Sequence, residues 1–371
     1  MELQKFRVAI HNIHEIPNLF SIGIHNYVID LLRNGDVNIL FFDISSRYFS
    51  KKWVLNFYLY FRSYSKIKGW NIPWNNIKIV FSVERLNREC DVLLNFNSHL
   101  GSTQFPRCLR KFQGVKIYHV NDYFWNRPGS ELNDLLVSNG VDLLMGYSRH
   151  DKYCSYFQKT FPNYSEKLIA VPFGYSDRFK NYIDFRSRLT KCIAMGSVNP
   201  MEMKDYDVVN YREVANFFPS EKWMHKFRRD LVINVDSFGT NLDSMLPVFP
   251  QYKDFRYNIV EKFNEYKMFV SCESIYNFPP AKYFEGLACG SVLICSDHEC
   301  NKDLQLLDGV NCIMYIQNNL NDFRDKLKYY VENHDLLPDI QLEGLKLAVN
   351  SFSHKQVANN LIKDIYARCL K

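Results

Sequence analysis

The chain has 371 residues, more than one hydrophobic core usually covers, so two domains of roughly 150–200 residues each are expected. Its 46 basic and 40 acidic residues give a net charge of +6. This charge suits a small anionic ligand or a membrane surface but is too weak for a nucleic-acid-binding protein. There is no signal-peptide pattern and no apolar stretch near the ~20 residues of a spanning helix, so any membrane contact is expected to be peripheral.

The ten cysteines have no regular spacing and form no Cys-x-x-Cys pair. Most lie inside apolar runs, as Cys192 and Cys272 do, where free cysteine behaves as a small hydrophobic residue. This pattern favours a reduced compartment over a disulfide framework, so we expect a cytoplasmic protein.

Short β-branched runs alternate with helical patterns along the whole chain. Because these runs are continuously apolar, they predict parallel strands that crossover helices bury on both faces. In the first half, strands are predicted at 6–10, 37–43, 77–82, 91–96, 115–120, 141–148 and 168–174. In the second half, they are predicted at 192–197, 231–236, 268–274, 291–297 and 312–315. The predicted fold class is therefore α/β, with two successive doubly wound sheets.

The alternation is interrupted near 175–190, where a polar and aromatic stretch separates the two series of strands. We therefore predict a Rossmann-like domain at 1–176, a second one at 177–352, and a final amphipathic helix at 353–371. Ligands of such sheets bind beyond the carboxyl ends of the strands, so the active site is expected in the cleft between the two domains.

Segment 271–297 carries the most informative motif. A predicted strand ends near Glu273, a Pro-Pro pair starts a helix, and a glycine ends it just before the next strand. The sequence KYFEGLACGSVLICSD resembles the EAxAxGxPVVxSD signature of the retaining group 1 glycosyltransferases. Their GT-B architecture consists of two facing Rossmann-like domains. The resemblance implies a glycosyltransferase with an N-terminal acceptor domain, a C-terminal nucleotide-sugar domain and a last helix that crosses back onto the first domain.

In that family the signature glutamate binds the ribose hydroxyls, which implies this role for Glu285. A carboxylate accepts two hydrogen bonds and therefore suits a vicinal diol. The alternative is a buried helix in which Glu285 has some other partner. The family has a second glutamate near the transferred sugar, where this chain has Asn277. The departure puts donor-sugar recognition in question, although Glu273 is close in sequence.

Pro279, Tyr283 and Lys282 complete the predicted donor-binding segment. Lys282 lies in the first helical turn, where a positive charge is unfavourable for the helix itself. We therefore predict that it faces a phosphate or a carboxylate, and an ordinary surface lysine is the alternative.

Residues 192–214 are similar to the first strand and glycine turn of the family's donor domain. Gly196 and Ser197 match the turn that approaches the diphosphate. A basic residue follows in the family, and we favour Arg212 over Lys204 because a guanidinium binds phosphate in a bidentate manner. The alternative for Arg212 is a position on a helix surface. The Asp-Tyr-Asp sequence at 205–207 is interpreted as a solvated turn, so no metal is predicted.

Two segments of the first half are assigned to the cleft. Segment 115–125 resembles the family strand that ends in a histidine near the donor sugar, which implies sites at His119 and Asp122, although His119 equally suits a core position. Gly23 and His25 lie where the family has loops that reach the acceptor and the donor phosphates. His11 and His14 have no third ligand at zinc-binding spacing.

Residues 51–68 form an aromatic stripe with basic residues opposite when drawn as a helix. This pattern is typical of a helix on an anionic membrane surface and equally of a helix that covers its own domain.

The combined prediction is transfer of a sugar from a UDP- or GDP-linked donor to a glycan or lipid-linked acceptor in surface-polysaccharide assembly. No cofactor is required, and a retaining, metal-independent reaction is implied by the resemblance. The resemblance to the family covers residues 140–371 by motif and residues 1–140 by topology only. The alternatives are a nucleotide-sugar epimerase of the same fold and a non-catalytic subunit that binds glycans or nucleotide sugars.

Overall fold

The computed structural model describes residues 6–11, 27–41, 72, 74–96, 110–120, 129–201, 209–246 and 257–369. These residues form two parallel sheets with helices on their faces, which confirms the predicted fold class. Among the helices so described, none is long and apolar enough to cross a membrane.

The first sheet has seven parallel strands in the order β3-β2-β1-β4-β5-β6-β7. They are β1 Val8–His11, β2 Val37–Phe41, β3 Lys78–Val80, β4 Val92–Asn95, β5 Val115–His119, β6 Leu143–Gly146 and β7 Leu168–Ala170. The helices of this half are α1 Tyr27–Arg33, α2 Val83–Glu89, α3 Gly129–Ser138, α4 His150–Tyr153 and α5 Ser155–Thr160. Its inner strands are almost fully buried, as the continuous apolar runs predicted.

The second sheet has five parallel strands in the order β12-β11-β10-β8-β9. They are β8 Leu189–Met195, β9 Leu242–Met245, β10 Tyr266–Val270, β11 Val292–Ser296 and β12 Ile313–Tyr315. The helices are α6 Val209–Phe217, α7 Lys226–Ile233, α8 Ile259–Glu265, α9 Lys282–Ala288, α10 Glu299–Lys302, α11 Leu320–Glu332, α12 Leu337–Ser351 and α13 His354–Cys369.

The predicted strand at 231–236 is wrong, because these residues complete α7 and begin a short 3₁₀ helix. Phe227 and Leu231 are four residues apart and both buried, so they share one face of a helix that packs on the sheet. The actual edge strand is β9, whose sequence Leu-Asp-Ser-Met buries only its first residue fully. Such a polar edge strand gives almost no hydrophobic signal.

Helix α13 packs against the first sheet. Val357, Leu361 and Ile365 lie in the same core as Ile10 and Leu94. At the far end of α13, Arg368 donates to the carbonyl oxygens of residues 166 and 168, at 2.6 and 3.2 Å. The last helix is thus part of the core of the first domain.

The chain crosses between the domains where residues 174–175 meet residues 352–354. The Tyr175 amide donates to the Phe352 carbonyl at 3.0 Å, and the His354 amide donates to the Tyr175 carbonyl at 3.1 Å. Gly174 has a φ of +67°, and a Cβ there would lie 2.8 Å from the Phe352 carbonyl oxygen. The two crossings are therefore held together by backbone hydrogen bonds.

Aromatic side chains connect the domains beside this crossing. Tyr156 of α5 lies 5.3 Å from Phe217 and 6.0 Å from Tyr276, measured between ring centroids. These rings share one apolar core with Phe157 and Met224. The two domains therefore bury apolar surface against each other.

The guanidinium of Arg188 is the most extensively bonded buried charge among the described residues. It donates to the carbonyls of Ile183, Phe263, Cys289 and Gly290 and to the side-chain oxygens of Asn181 and Asn264, at 2.7–3.3 Å. Burial lowers its pKa to about 10, and its described hydrogen-bond partners include no carboxylate. Two of the carbonyls end α9 and one belongs to α8, so the cation lies at the negative ends of two helices.

We expect Arg188→Met to lower the melting temperature by about 5–10 °C. The substitution leaves several buried carbonyl oxygens without a donor, which costs about 3 kcal/mol or more. The measurement is thermal unfolding followed by circular dichroism, with the exposed neighbour Arg186→Met as the matched control. A melting temperature for Arg188→Met equal to that of the control would contradict this structural role.

Candidate active site

The carboxyl end of β8 leads into a glycine turn that contacts a buried arginine. Gly196 has a φ of +130°, and a Cβ there would lie 3.0 Å from Nη1 of Arg228. That same nitrogen donates to the Ser197 carbonyl at 3.2 Å. Arg228 is only 6% exposed, and its Nε has no hydrogen-bond partner among the described residues. Glycine is favoured here because residues with a side chain rarely adopt a φ of +130°.

Lys282 and Glu285 lie one turn apart on α9, at the carboxyl end of the neighbouring strand β10. Burial and the charge of Arg228 lower the pKa of Lys282 to about 8. Burial raises the pKa of Glu285, although Lys282 and Arg178 act against this rise. Both side chains are half-buried, and within the described residues neither forms an ion pair shorter than 4.0 Å.

This arrangement brings together basic groups that repel each other. Arg228 lowers the pKa of Lys282, so their charges are close enough to oppose one another. Two basic groups next to a glycine turn at a sheet edge, with Glu285 as the carboxylate near Lys282, are suited to bind an anion, and perturbed pKa values often mark such functional sites. Beside these cations, the carboxylate of Glu285 can accept hydrogen bonds.

Asn277 connects the two domains in front of this cluster. It has a φ of +52°, a conformation that asparagine tolerates better than most residues. Its amide donates to the Tyr153 carbonyl at 3.3 Å and accepts from Gln317 at 3.4 Å. Pro279 follows it and is buried. The residue in the family's second glutamate position therefore contacts α4 of the first domain.

Glu273 belongs to the interior of the second domain. Its carboxylate accepts from Tyr283 at 2.6 Å, from Asn301 at 2.7 Å and from Ser296 at 2.9 Å. The hydroxyl of Tyr283, which was predicted in the donor site, is directed into this buried network. Glu273 is thus engaged by three donors and does not take the place of the glutamate replaced by Asn277.

A cleft of about 260 Å³ lies beside segment 272–277. Its wall combines aromatic rings with polar groups: Phe218, Phe227, Tyr315, Glu221, Lys226, Glu273, Ser274, Asn277, Gln317 and Asn318. Two residues of this wall also contact the first domain: Asn277 bonds to the Tyr153 carbonyl, and the Phe218 ring lies 6.3 Å from Tyr156.

His119 ends β5 at the carboxyl edge of the first sheet. It is fully buried, stacks on Phe96 at 5.7 Å and lies 5.3 Å from Tyr147. Tyr147 is 5.9 Å from Phe278, next to Asn277. His119 is therefore connected to the predicted donor-binding segment through aromatic rings.

Five of the predicted features lie outside the described residues: Asp122, Gly23, His25, segment 51–68 and the Asp-Tyr-Asp sequence at 205–207. The backbone of Arg212 lies in α6, but its side chain is outside the described part. Within that part, no group of three or more His, Cys, Asp or Glu side chains is arranged to hold a metal ion.

Arg228 is the site residue that the sequence did not reveal. The predicted strand at 231–236 hid helix α7, which carries Arg228 beneath Gly196. The helical spacing of Phe227 and Leu231 was the signal that would have placed Arg228 on a helix beside the sheet edge.

Comparisons with known proteins concern the fold of the whole chain and the sequence of the second domain. Residues 212–363 match the family described as glycosyl transferase-like. A glycosyltransferase from Rickettsia africae superposes with a TM-score of 0.54 at 12% identity over 100% of both chains. The Anabaena protein Alr3699/HepE, solved in complex with UDP and glucose, superposes with a TM-score of 0.50 at 10% identity, over 98% of this chain and 100% of that chain. A comparison with curated protein sequences finds no match.

The superpositions show that the chain has the GT-B fold, as the sequence resemblance predicted. The family match covers most of the second domain and includes α7, α9 and the glycosyltransferase signature.

We expect Glu285→Gln to raise the melting temperature at neutral pH by about 1–4 °C. Burial raises the pKa of Glu285, so the folded state binds this proton more tightly than the unfolded state. Its favourable contribution is present at low pH and is lost as pH rises through the folded-state pKa. The advantage of glutamine should therefore shrink as pH falls towards about 4.

The measurement is thermal unfolding across this pH range, with the exposed Glu343→Gln as the control. A difference between Glu285→Gln and the native chain that does not depend on pH would argue against a buried, titrating carboxylate.

Proposed function

We propose that the protein transfers a sugar from a nucleoside diphosphate donor, UDP- or GDP-linked, to a glycan or lipid-linked acceptor. The observation that carries the proposal is the cluster of Arg228 and Lys282 beside Gly196, with Glu285 next to it. A nucleotide sugar has a diphosphate and a vicinal ribose diol a few bonds apart, which are the two groups that this cluster suits.

In the proposed complex the diphosphate lies against the Gly196 turn. The absence of a Cβ at Gly196 lets a phosphate oxygen approach the backbone and the guanidinium together. Arg228 has an unused Nε–H, and Lys282 forms no ion pair within the described residues, so both have donors for phosphate oxygens. Glu285 then accepts from the ribose hydroxyls.

Catalysis in this proposal is stabilisation of the leaving group. Breaking the bond between the sugar and the diphosphate places negative charge on a phosphate oxygen, which Arg228 and Lys282 neutralise in a partly buried setting. For a retaining reaction the departing phosphate takes the acceptor proton on the same face, so positioning replaces a protein base. His119, at the edge of the first sheet, is proposed to help position the transferred sugar.

The nucleotide complexes of a structural neighbour support this choice of donor. Alr3699/HepE was solved in complex with UDP-glucose. In this chain Asn277, in the position of the family's second glutamate, offers an amide to the sugar and no charge. We therefore propose a neutral sugar hydroxyl as its partner, and surface-polysaccharide assembly as the setting, with segment 51–68 as a peripheral membrane contact.

We expect a thermal shift of several degrees with one nucleotide family in a panel of UDP, GDP, CMP, ADP and their sugar conjugates. Glu285→Ala should abolish the shift. Arg228→Met, which keeps the side-chain volume, should weaken the affinity by about 10–100-fold, because it removes charge-assisted hydrogen bonds.

The matched control for these variants is Glu343→Ala, which alters an exposed surface pair with Lys346. The absence of a shift with every nucleotide would refute the donor site. A shift that persists unchanged in Glu285→Ala would remove Glu285 from the ribose position.

Chelation of divalent metal ions should leave the transfer rate unchanged within about twofold, since the proposed counter-charges are the protein's own cations. The measurement is sugar transfer or donor hydrolysis with and without EDTA, after the donor has been identified. Loss of activity that Mg²⁺ or Mn²⁺ restores would mean that a metal supplies the charge assigned to Arg228 and Lys282.

A non-catalytic role is the second candidate, and Asn277 is the observation that favours it. A chain that lacks the second glutamate of the family and ties this position to Tyr153 retains a donor site with fewer contacts to the sugar. Donor binding without hydrolysis or transfer across an acceptor panel would support a nucleotide-sugar-binding subunit.

A further inference from the structure

His225 occupies the N-cap of α7, three residues before Arg228. Residues three apart lie on the same face of a helix, so the imidazole and the guanidinium face the same side. His225 forms no side-chain capping bond, and its Nδ1 is buried without a hydrogen-bond partner among the described residues. A buried ring nitrogen without a partner is costly, and such an atom requires an explanation.

The backbone of Met224, the residue before His225, places His225 at the proposed donor site. The Met224 amide donates to the Asn199 carbonyl at 2.9 Å, in the loop that follows Gly196. The Met224 carbonyl accepts from the Ile275 amide at 3.0 Å, in the segment that leads to Lys282. His225 is thus held between the two loops that form the proposed diphosphate site.

The charged groups that face His225 are both basic. Arg228 faces it from its own helix and Lys282 from α9. Burial and these two charges lower the pKa of His225 well below its ordinary value, so the imidazole is neutral in the unliganded protein.

We propose that His225 is a third basic group of the donor site, which takes up a proton when the diphosphate binds. This inference rests on the proposed function and assigns a pH dependence to the same site. One proton passes from solvent to the imidazole, and both ring nitrogens are then N–H donors, one of them towards a phosphate oxygen. No other bond forms or breaks.

Electrostatics predicts that His225 gains a proton when the diphosphate binds. In the empty site, two nearby positive charges oppose the imidazolium form. A bound diphosphate brings two negative charges and reverses the balance, so protonation of His225 becomes favourable. Donor affinity should therefore rise as pH falls through the range where histidine ordinarily titrates, near pH 6.5.

Proton uptake by Lys282 can be distinguished from proton uptake by His225, because the two groups titrate at different pH. Its pKa is about 8, so Lys282 is largely protonated before the ligand binds at pH 6.5, and its own proton uptake appears only at higher pH. The probe must be a nucleotide sugar such as UDP-glucose or GDP-mannose. Its diphosphate is a diester that does not titrate near neutral pH, whereas the terminal phosphate of UDP does.

The experiment is isothermal titration calorimetry of the full chain with the nucleotide sugar that binds, at about pH 6.5 in two buffers of different ionisation enthalpy. The native chain should take up about half a proton or more per donor bound. His225→Asn should bind several-fold more weakly with almost no uptake at this pH. Asparagine is a favourable N-cap residue, so α7 should remain folded.

The matched control is His298→Asn, which changes another half-buried N-cap histidine in the same domain. This variant should keep both the affinity and the proton uptake. Donor binding without proton uptake, or uptake that persists in His225→Asn, would overturn the inference and leave the proposed function intact. Failure of every nucleotide sugar to bind would overturn both.

Discussion

The buried guanidinium of Arg188 holds the end of α9, the helix that carries Lys282 and Glu285 of the proposed donor site. It donates to the two carbonyls that follow α9 and to a carbonyl of α8, so it joins the ends of these two helices. Lys282 and Glu285 lie at the opposite end of this short helix. A buried cation therefore anchors the C-terminal end of the helix whose first turn carries these charged groups. Its hydrogen-bond partners are peptide and amide oxygens, which offset the cost of burial without introducing a negative charge.

The parallel sheets and the position of Glu285 were accessible from the sequence because both leave local signals. Strands buried on both faces are continuous apolar runs, and the signature around Glu285 occupies one helix and its two ends. The crossing of the last helix onto the first domain came from the family resemblance and not from periodicity. Where the signal was weak, as in β9, the strand was missed.

The remaining features arise from contacts between residues far apart in sequence. Arg228 lies 31 residues from the carbonyl that it contacts at Ser197. Glu273 was a plausible sugar ligand until its three donors were known, the most distant of which is Asn301. The sequence contained these residue types, but their partners are fixed only by tertiary packing. Polar groups near a motif therefore need structural assignment before a role is given to them.

The path of α13 has a consequence for the order in which the protein folds. Its side chains Val357, Leu361 and Ile365 fill part of the core beneath the first sheet. During synthesis this core stays incomplete until the ribosome has also made the entire second domain. The first domain must therefore wait for residues from the other end of the chain, with an apolar groove open in the meantime. A chaperone that covers this groove would protect the nascent chain from aggregation.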